Sequence, residues 1–375
     1  MTSALFSPQA LRELTLPNRV VISPMCQYSA DDGNANDWHL MHLGMLSQSG
    51  AGLVLIEASA VSREGRITHG CLGLYNDANE AALKRVLDGV RPHANTRIGI
   101  QLAHAGRKAS SGRPWEGGQL ILPDAGGWRP AGPSALPQKP EEPAPHAMSR
   151  AEIGRVIDDF AAAARRAERL GLEAMELHAA HGYLLHEFLS PVSNQRDDDY
   201  GGSLANRMRL PLAVFDALRE VWPRHKPLGV RLSSSDWLEA SGEPSWTIED
   251  SVVFAGELKA RGCDWIDASS GGISPRQQIK LGPGYQLPFA ERIKQETSIT
   301  TIGVGLITEA QQAEEIIAKG QADLVAIARA ILWNPRWVWH AAAALGGQVT
   351  PPPQYGRAAP RAHAALFAGV PFGGR

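Results

Sequence analysis

Four stretches of the chain repeat one pattern: a capping residue, an amphipathic run with apolar positions three and four apart, usually a glycine, and then a short aliphatic stretch. The clearest begins at Ser149, three residues before Glu152. It places Ile153, Val156, Ile157, Phe160, Ala164, Ala167 and Leu170 on one helical face before Gly171 and the segment EAMEL. Asp77 with Glu80 opens a second, carrying Leu83, Val86, Leu87 and Val90 ahead of RIGIQL. Thr247 with Asp250 opens a third, ending at Gly262 before DWIDAS, and Thr308 with Gln311 a fourth, ending at Gly320 before DLVAIA. With RVVISPM, GLVLIEA, PLGVRLS and SITTIGV, these segments predict eight strands, near residues 19–24, 52–58, 97–102, 173–177, 228–232, 264–269, 299–303 and 323–328.

Each predicted strand is a near-continuous apolar run, as burial on both faces requires, and strands alternate with helices. The pattern therefore predicts an α/β protein, a (β/α)8 TIM barrel, with its site among the polar residues just past each strand, on the C-terminal rim. An open doubly wound sheet uses the same alternation, but no GxGxxG follows the first strand. Residues 112–146 break the pattern with eight prolines plus Trp115 and Trp128, and are expected to form an ordered loop over the rim, inserted after the third strand. From Thr350 onward, three consecutive prolines and an alanine- and glycine-rich end predict an extended C-terminal arm whose last residues are disordered. The expected organisation is a barrel over 1–349 and an arm over 350–375.

Composition narrows the function classes. With 43% apolar and 20% charged residues the chain can bury a large core, and its formal net charge of −2 offers no field for nucleic acid. Three distant cysteines, Cys26, Cys71 and Cys263, make neither a disulfide framework nor a pair of metal-binding pairs. The N-terminus carries no apolar run with a cleavage site and no stretch has the length of a membrane span, so the cytoplasm is the expected location.

The rim residues carry the chemistry. Cys26 and Tyr28 follow the first strand, where a small buried thiol and a packing tyrosine are the bland alternative. Gln101, His104, Arg107 and Lys108 follow the third. Arg231 lies inside the apolar fifth strand, a costly place for a guanidinium unless an anion or a polarised carbonyl meets it. After the fourth strand, His178, His181 and Tyr183 are spaced so that one turn can direct all three to one point. Zinc is a poor fit, because HExxH and an evident third ligand are both missing. Two satisfied structural histidines are one reading; two donors for one acceptor oxygen, with a phenol able to deliver a proton, are the other. Gly303, Val304 and Gly305 at the seventh strand end and Ala328 and Arg329 at the eighth suit a phosphate.

These residues resemble the old yellow enzyme family (NADH:flavin oxidoreductases), specifically its thermophilic-like subgroup, which includes xenobiotic reductases. The likeness runs from residue 4 to about 357 and rests on NRVVISPMCQYSA, GLVLIEASAVSREGRITHG, IGIQLAHAGRKAS, ELHAAHGYLLHEFLSPVSNQRDDDYGGSLANRMR, PGYQLPFAERI and ADLVAIARAIL. It implies non-covalent FMN at the barrel mouth and NADPH or NADH as reductant. By matched position, Ser23, Pro24, Met25, Cys26, Ala58 and Gln101 would line the flavin and Arg231 would face its pyrimidine edge. Gly303, Val304, Gly305, Ala328 and Arg329 would hold its phosphate. Cys26 would tune the flavin where classical members carry threonine.

The implied activity is ene reduction: hydride passes from NAD(P)H to FMN and then, ping-pong, from flavin N5 to the β-carbon of an enone, enal, maleimide or nitroalkene. His178 and His181 would hold the substrate oxygen, Tyr183 would protonate the α-carbon, and Tyr28 would contact substrate. The subgroup also implies a homodimer or homotetramer in which Arg357 enters a neighbour's site. The sequence departs from the family with Ala328 where glycine is common, with Ile302 where some xenobiotic reductases carry tryptophan, and with its extension beyond Arg357. Three cysteines are too few for the iron–sulfur cluster of a dienoyl-CoA or amine dehydrogenase relative. A flavin-free lyase or isomerase acting on a phosphorylated substrate, and a binding-only flavin sensor, are the readings from other classes.

Overall fold

The computed structural model describes residues 3–369. Its centre is a closed parallel barrel of eight strands: β1 (Val20–Ile22), β2 (Leu53–Ala60), β3 (Arg97–Ala103), β4 (Ala174–Ala179), β5 (Leu228–Ser233), β6 (Ile266–Ser269), β7 (Thr301–Gly303) and β8 (Leu324–Ile327). Neighbours in sequence pair in space and β8 pairs with β1, Val325 opposite Val20. All eight predicted strands are present.

The helices are α1 (Asp37–Ser47), α2 (Asp77–Val90), α3 (Arg150–Arg169), the short α4 (Leu184–Leu189), α5 (Leu204–Val221), α6 (Ile248–Ala260), α7 (Leu287–Thr297), α8 (Ala310–Ala318), the short α9 (Arg329–Trp333) and α10 (Trp337–Leu345). Ser149–Glu152 and Thr247–Asp250 form the capping boxes read from the sequence. Two other caps differ. Helix α2 is capped by Asn76, whose side chain accepts from the Asn79 amide, one residue before the expected Asp77. Helix α8 has no side-chain N-cap; the Thr308 amide instead donates to Gln312 Oε1 at 3.2 Å.

Alternation along the strands separates two cores. Val20, Ile22, Val54, Ile56, Ile98, Ile100, Met175, Leu177, Val230 and Leu232 face the helices and share one hydrophobic cluster with them. The opposite face points into the barrel, where Val21, Leu53, Leu55, Ala174, Trp265, Ile302, Leu324 and Ala326 fill the lower half. A hairpin of Gln9–Leu11 and Leu14–Leu16 closes this end with Leu11 and Leu16. Gly229 makes room for the indole: a Cβ there would lie 1.9 Å from the fully buried Trp265 ring. Gly229→Ala is expected to cost about 3 kcal/mol, because neither the strand backbone nor the indole can move aside. An unchanged thermal melting midpoint would contradict this packing.

The proline-rich segment is pinned on the rim. Arg107 donates to Leu136 O, Pro137 O and Ile273 O, joining it to the loop after β6, and Trp128 Nε1 donates to Glu64 O at 2.9 Å. Beyond α10 the chain doubles back along that helix. Tyr355 stacks edge-on against Trp339, and Phe367 packs on the same indole with ring centroids 4.9 Å apart. Residues 370–375, on which the expectation of terminal disorder falls, lie outside the described residues.

Candidate active site

Above its apolar lower half the barrel interior turns polar. The inward positions at the upper strand ends are Ser23, Glu57, Gln101, Glu176, His178, Arg231, Ser233, Asp267 and Ser269, all buried. Burying so many polar groups costs free energy unless each finds a partner. Glu176 accepts from Gln101 Nε2 at 2.9 Å and from Trp265 Nε1 at 3.0 Å, and Asp267 lies 3.5 Å from Arg231 Nε on the adjacent strand. Burial raises both carboxyls, and Arg231 opposes the rise. Sequence reasoning found Arg231 but missed Glu57, Glu176 and Asp267. The signal was the same one, a charged residue inside an apolar run.

His178 and His181 stand on β4 and the turn after it, and their ring nitrogens are linked in series. The Ala180 amide donates to His178 Nδ1 at 3.1 Å, which leaves the proton on Nε2. That nitrogen lies 3.3 Å from His181 Nδ1, and His181 Nε2 lies 2.7 Å from Ser269 Oγ. Both imidazoles are pushed well below the usual histidine range, by burial first and then by Arg231, so both are neutral donors at pH 7. Tyr183 packs edge-on against His178 with centroids 5.0 Å apart. Its phenol is raised by burial and then by nearby Cys26, Tyr28 and Cys71, which places the loop after β1 beside it.

On that loop Cys26 is half-buried and its thiol is pushed well up, chiefly by burial. A raised thiol does not suit a nucleophile. Tyr28 has φ +52° and its carbonyl accepts from Arg113 Nε of the proline-rich segment at 3.0 Å. A cavity of about 450 Å³ opens between Tyr28, Lys108, Pro114 and Gln138. A cleft of about 870 Å³ lies away from this chemistry, where the C-terminal tail crosses Asn18, Gly50 and Asn95 below the barrel.

At the seventh strand end Gly305 has φ +123° and its carbonyl accepts from the Gly284 amide at 2.8 Å. Gln286 connects this end to the histidines, accepting from Ser269 and Ser270 and donating to Val304 O. Ala328 caps the short helix that begins with the exposed Arg329.

A flavin fits what this rim leaves unsatisfied. Ser23 Oγ and Arg231 Nε are buried without a hydrogen-bond partner, and both lie at the mouth. Ala58 and Gln101 are buried beside them, and Pro24 and Met25 are partly buried. Gly303, Val304 and Gly305 offer backbone at the neighbouring strand end. Arg357 is not brought to this site within the chain; it is exposed in the turn Pro353–Ala358, beside α10. Among the described residues no group of three His, Cys, Asp or Glu side chains could hold a metal ion, and no helix is long and apolar enough to cross a membrane.

Comparison with known proteins agrees with this geometry. The model of the NADH:flavin oxidoreductase / NADH oxidase family matches residues 4–347. An NADPH dehydrogenase of Geobacillus sp. (strain WCH70) is 43% identical over 359 residues, covering 95% of this chain and 99% of the relative. An NADH:flavin oxidoreductase of Gibberella zeae is 42% identical over 362 residues, covering 93% and 87%. Among solved structures, morphinone reductase in complex with tetrahydroNAD superposes with a TM-score of 0.74 at 29% identity, over 98% of this chain and 94% of that one. With the barrel, the polar rim and relatives matched almost end to end, the chain belongs to the NADH:flavin oxidoreductase / NADH oxidase family, an oxidoreductase of the old yellow enzyme type with FMN as cofactor and NAD(P)H as reductant.

Proposed function

We propose that this flavin oxidoreductase is an ene-reductase acting on alkenes activated by a carbonyl or nitro group: enones, enals, maleimides and nitroalkenes. The observation that carries the reading is the pair of neutral, buried imidazoles with a phenol against one of them. An entering oxygen takes the place of His181 Nδ1 as acceptor of His178 Nε2–H, and His181, with its proton moved from Nε2 to Nδ1, becomes the second donor. Two donors on one oxygen draw electrons from the double bond and make its β-carbon electrophilic. FMN, when bound, supplies the hydride that it has taken from NAD(P)H. Tyr183 gives the proton to the α-carbon, and Tyr28 contacts the substrate. Cys26 sits against the flavin and tunes it; its raised thiol argues against covalent catalysis.

Ser23, Pro24, Met25, Ala58, Gln101 and Arg231 would hold the ring, and Gly303, Val304, Gly305, Ala328 and Arg329 the phosphate. Arg231, beside the pyrimidine edge, favours negative charge there. Arg357, free of its own barrel mouth, would serve a neighbour's site in a homodimer or homotetramer. A flavin-free lyase, open on the strand ends alone, has no support from the family. The test is direct. Purified protein loaded with FMN should bleach with NADPH under anaerobic conditions and recover its yellow absorbance on adding cyclohexenone. Bleaching without recovery by any enone, enal, maleimide or nitroalkene would leave an NAD(P)H oxidoreductase of another kind, or a flavin sensor.

A further inference from the structure

Lys108 follows β3, and its ammonium is placed by backbone alone. Nζ donates to His181 O at 2.7 Å and to Gly272 O at 3.3 Å, and it lies 4.9 Å from the centroid of the Tyr183 ring. Those two carbonyls belong to the loops after β4 and β6, which touch back to back. A Cβ on Gly182 would lie 2.1 Å from Gly272 O, and one on Gly272 would lie 2.4 Å from the His181 carbonyl carbon. Both glycines have positive φ, +72° and +94°, so the crossing is rigid and closed to larger residues. Lys108 also lines the cavity beside Tyr28. Both of its acceptors are neutral carbonyls, and burial pulls its ammonium down to about 8. A partly buried cation whose hydrogen bonds reach no carboxylate is costly, and the cost is relieved when a negative charge arises beside it.

The ene-reductase reading, on which this inference rests, creates such a charge. We propose that Lys108 is the positioning residue for proton delivery: its ammonium, held over the Tyr183 ring by two loop carbonyls, stabilises the phenolate left as the Tyr183 O–H bond breaks and the substrate's α-carbon–hydrogen bond forms. The ammonium keeps its own proton. The phenolate recovers one from water as product leaves, so each turnover adds one hydride and one solvent-derived proton to the alkene.

Several groups face Lys108 and bear on its pH dependence. Arg107 precedes it in the chain, and His178, His181, Tyr183 and Glu187 face it from β4 and the segment that follows. Tyr28, Lys139 and Glu142 share the cavity wall. Glu187, raised to about 8 by burial, is the group that could imitate a Lys108 inflection.

The experiment is single-turnover reoxidation of the pre-reduced holoenzyme by cyclohexenone across neutral and alkaline pH, with ferricyanide as an acceptor that needs no carbon protonation. In the wild type the cyclohexenone rate should fall as pH rises through about 8, where the ammonium is lost. Lys108→Met should be slower by about tenfold at neutral pH and flat through that region. Lys108→Arg should restore most of the rate, and Glu187→Gln should keep the inflection. Lys108→Met should cost nothing further in a Tyr183→Phe background, and ferricyanide rates should not change.

Binding of p-hydroxybenzaldehyde to the oxidised holoenzyme is the control for position. If Lys108→Met loses that binding in proportion to rate, or adds its full loss to that of Tyr183→Phe, Lys108 only clamps His181 and the inference is overturned. A wild type that no enone reoxidises would instead overturn the ene-reductase reading, and this inference with it.

Discussion

Tyr183→Phe is expected to slow reoxidation of the reduced enzyme by cyclohexenone by about a hundredfold or more, while leaving bleaching by NADPH within about twofold. The substitution keeps the ring that packs 5.0 Å from His178 and removes only the O–H. Burial holds that phenol protonated, so across the neutral range it is present as a donor and not as a phenolate. Reduction of the flavin by a nicotinamide requires no proton at a substrate carbon, which is why the two half-reactions should part. Stopped-flow absorbance of the flavin reads both. An equal loss in both halves would show that Tyr183 shapes the pocket rather than delivering a proton.

His178→Ala is expected to weaken binding of p-hydroxybenzaldehyde by at least about a hundredfold and to abolish its long-wavelength charge-transfer band. Both imidazoles are neutral, so the oxygen they hold gains donors without a counter-ion, and Arg231, level with His178 on the next strand, supplies the positive charge. Removing His178 takes one donor away and leaves His181 Nδ1, which it faced at 3.3 Å, without its partner. Because His178 packs on Tyr183, cyclohexenone reduction should fall as well, by more than NADPH bleaching. A ligand titration identical to that of the wild type would remove the imidazole pair from the role assigned to it.

The site was legible in unequal parts. Glycine pairs, the histidine spacing and Arg231 announce themselves because each breaks an apolar pattern. Glu176 and Asp267 break it equally, but in EAMEL and DWIDAS each stands among residues that also suit a strand end, and nothing local says which face they take. The helices that escaped reading have physical causes too. Helix α1 turns His39, His42 and Ser47 inward with Leu43 and Leu46, so its buried face is not apolar, and α5 carries Pro211 inside. The C-terminal tail, alanine-rich and without a repeating pattern, gives no hint that Leu366 is buried and that Phe367 packs on Trp339.

By itself the sequence determined the alternation of eight strands and their helices, and hence the barrel and the end on which its chemistry lies. Apolar periodicity and capping are local, and parallel strands joined by helices bring all the strand ends to one rim. Only the tertiary structure decided that the two imidazoles stand in series, that Asp267 lies beside Arg231 with Glu176 near enough to feel its charge, and that the ammonium of Lys108 lies over Tyr183 against the carbonyls of His181 and Gly272. Those contacts join segments far apart in the chain, and their geometry depends on strand register and on two glycine turns passing in contact, which no local pattern encodes.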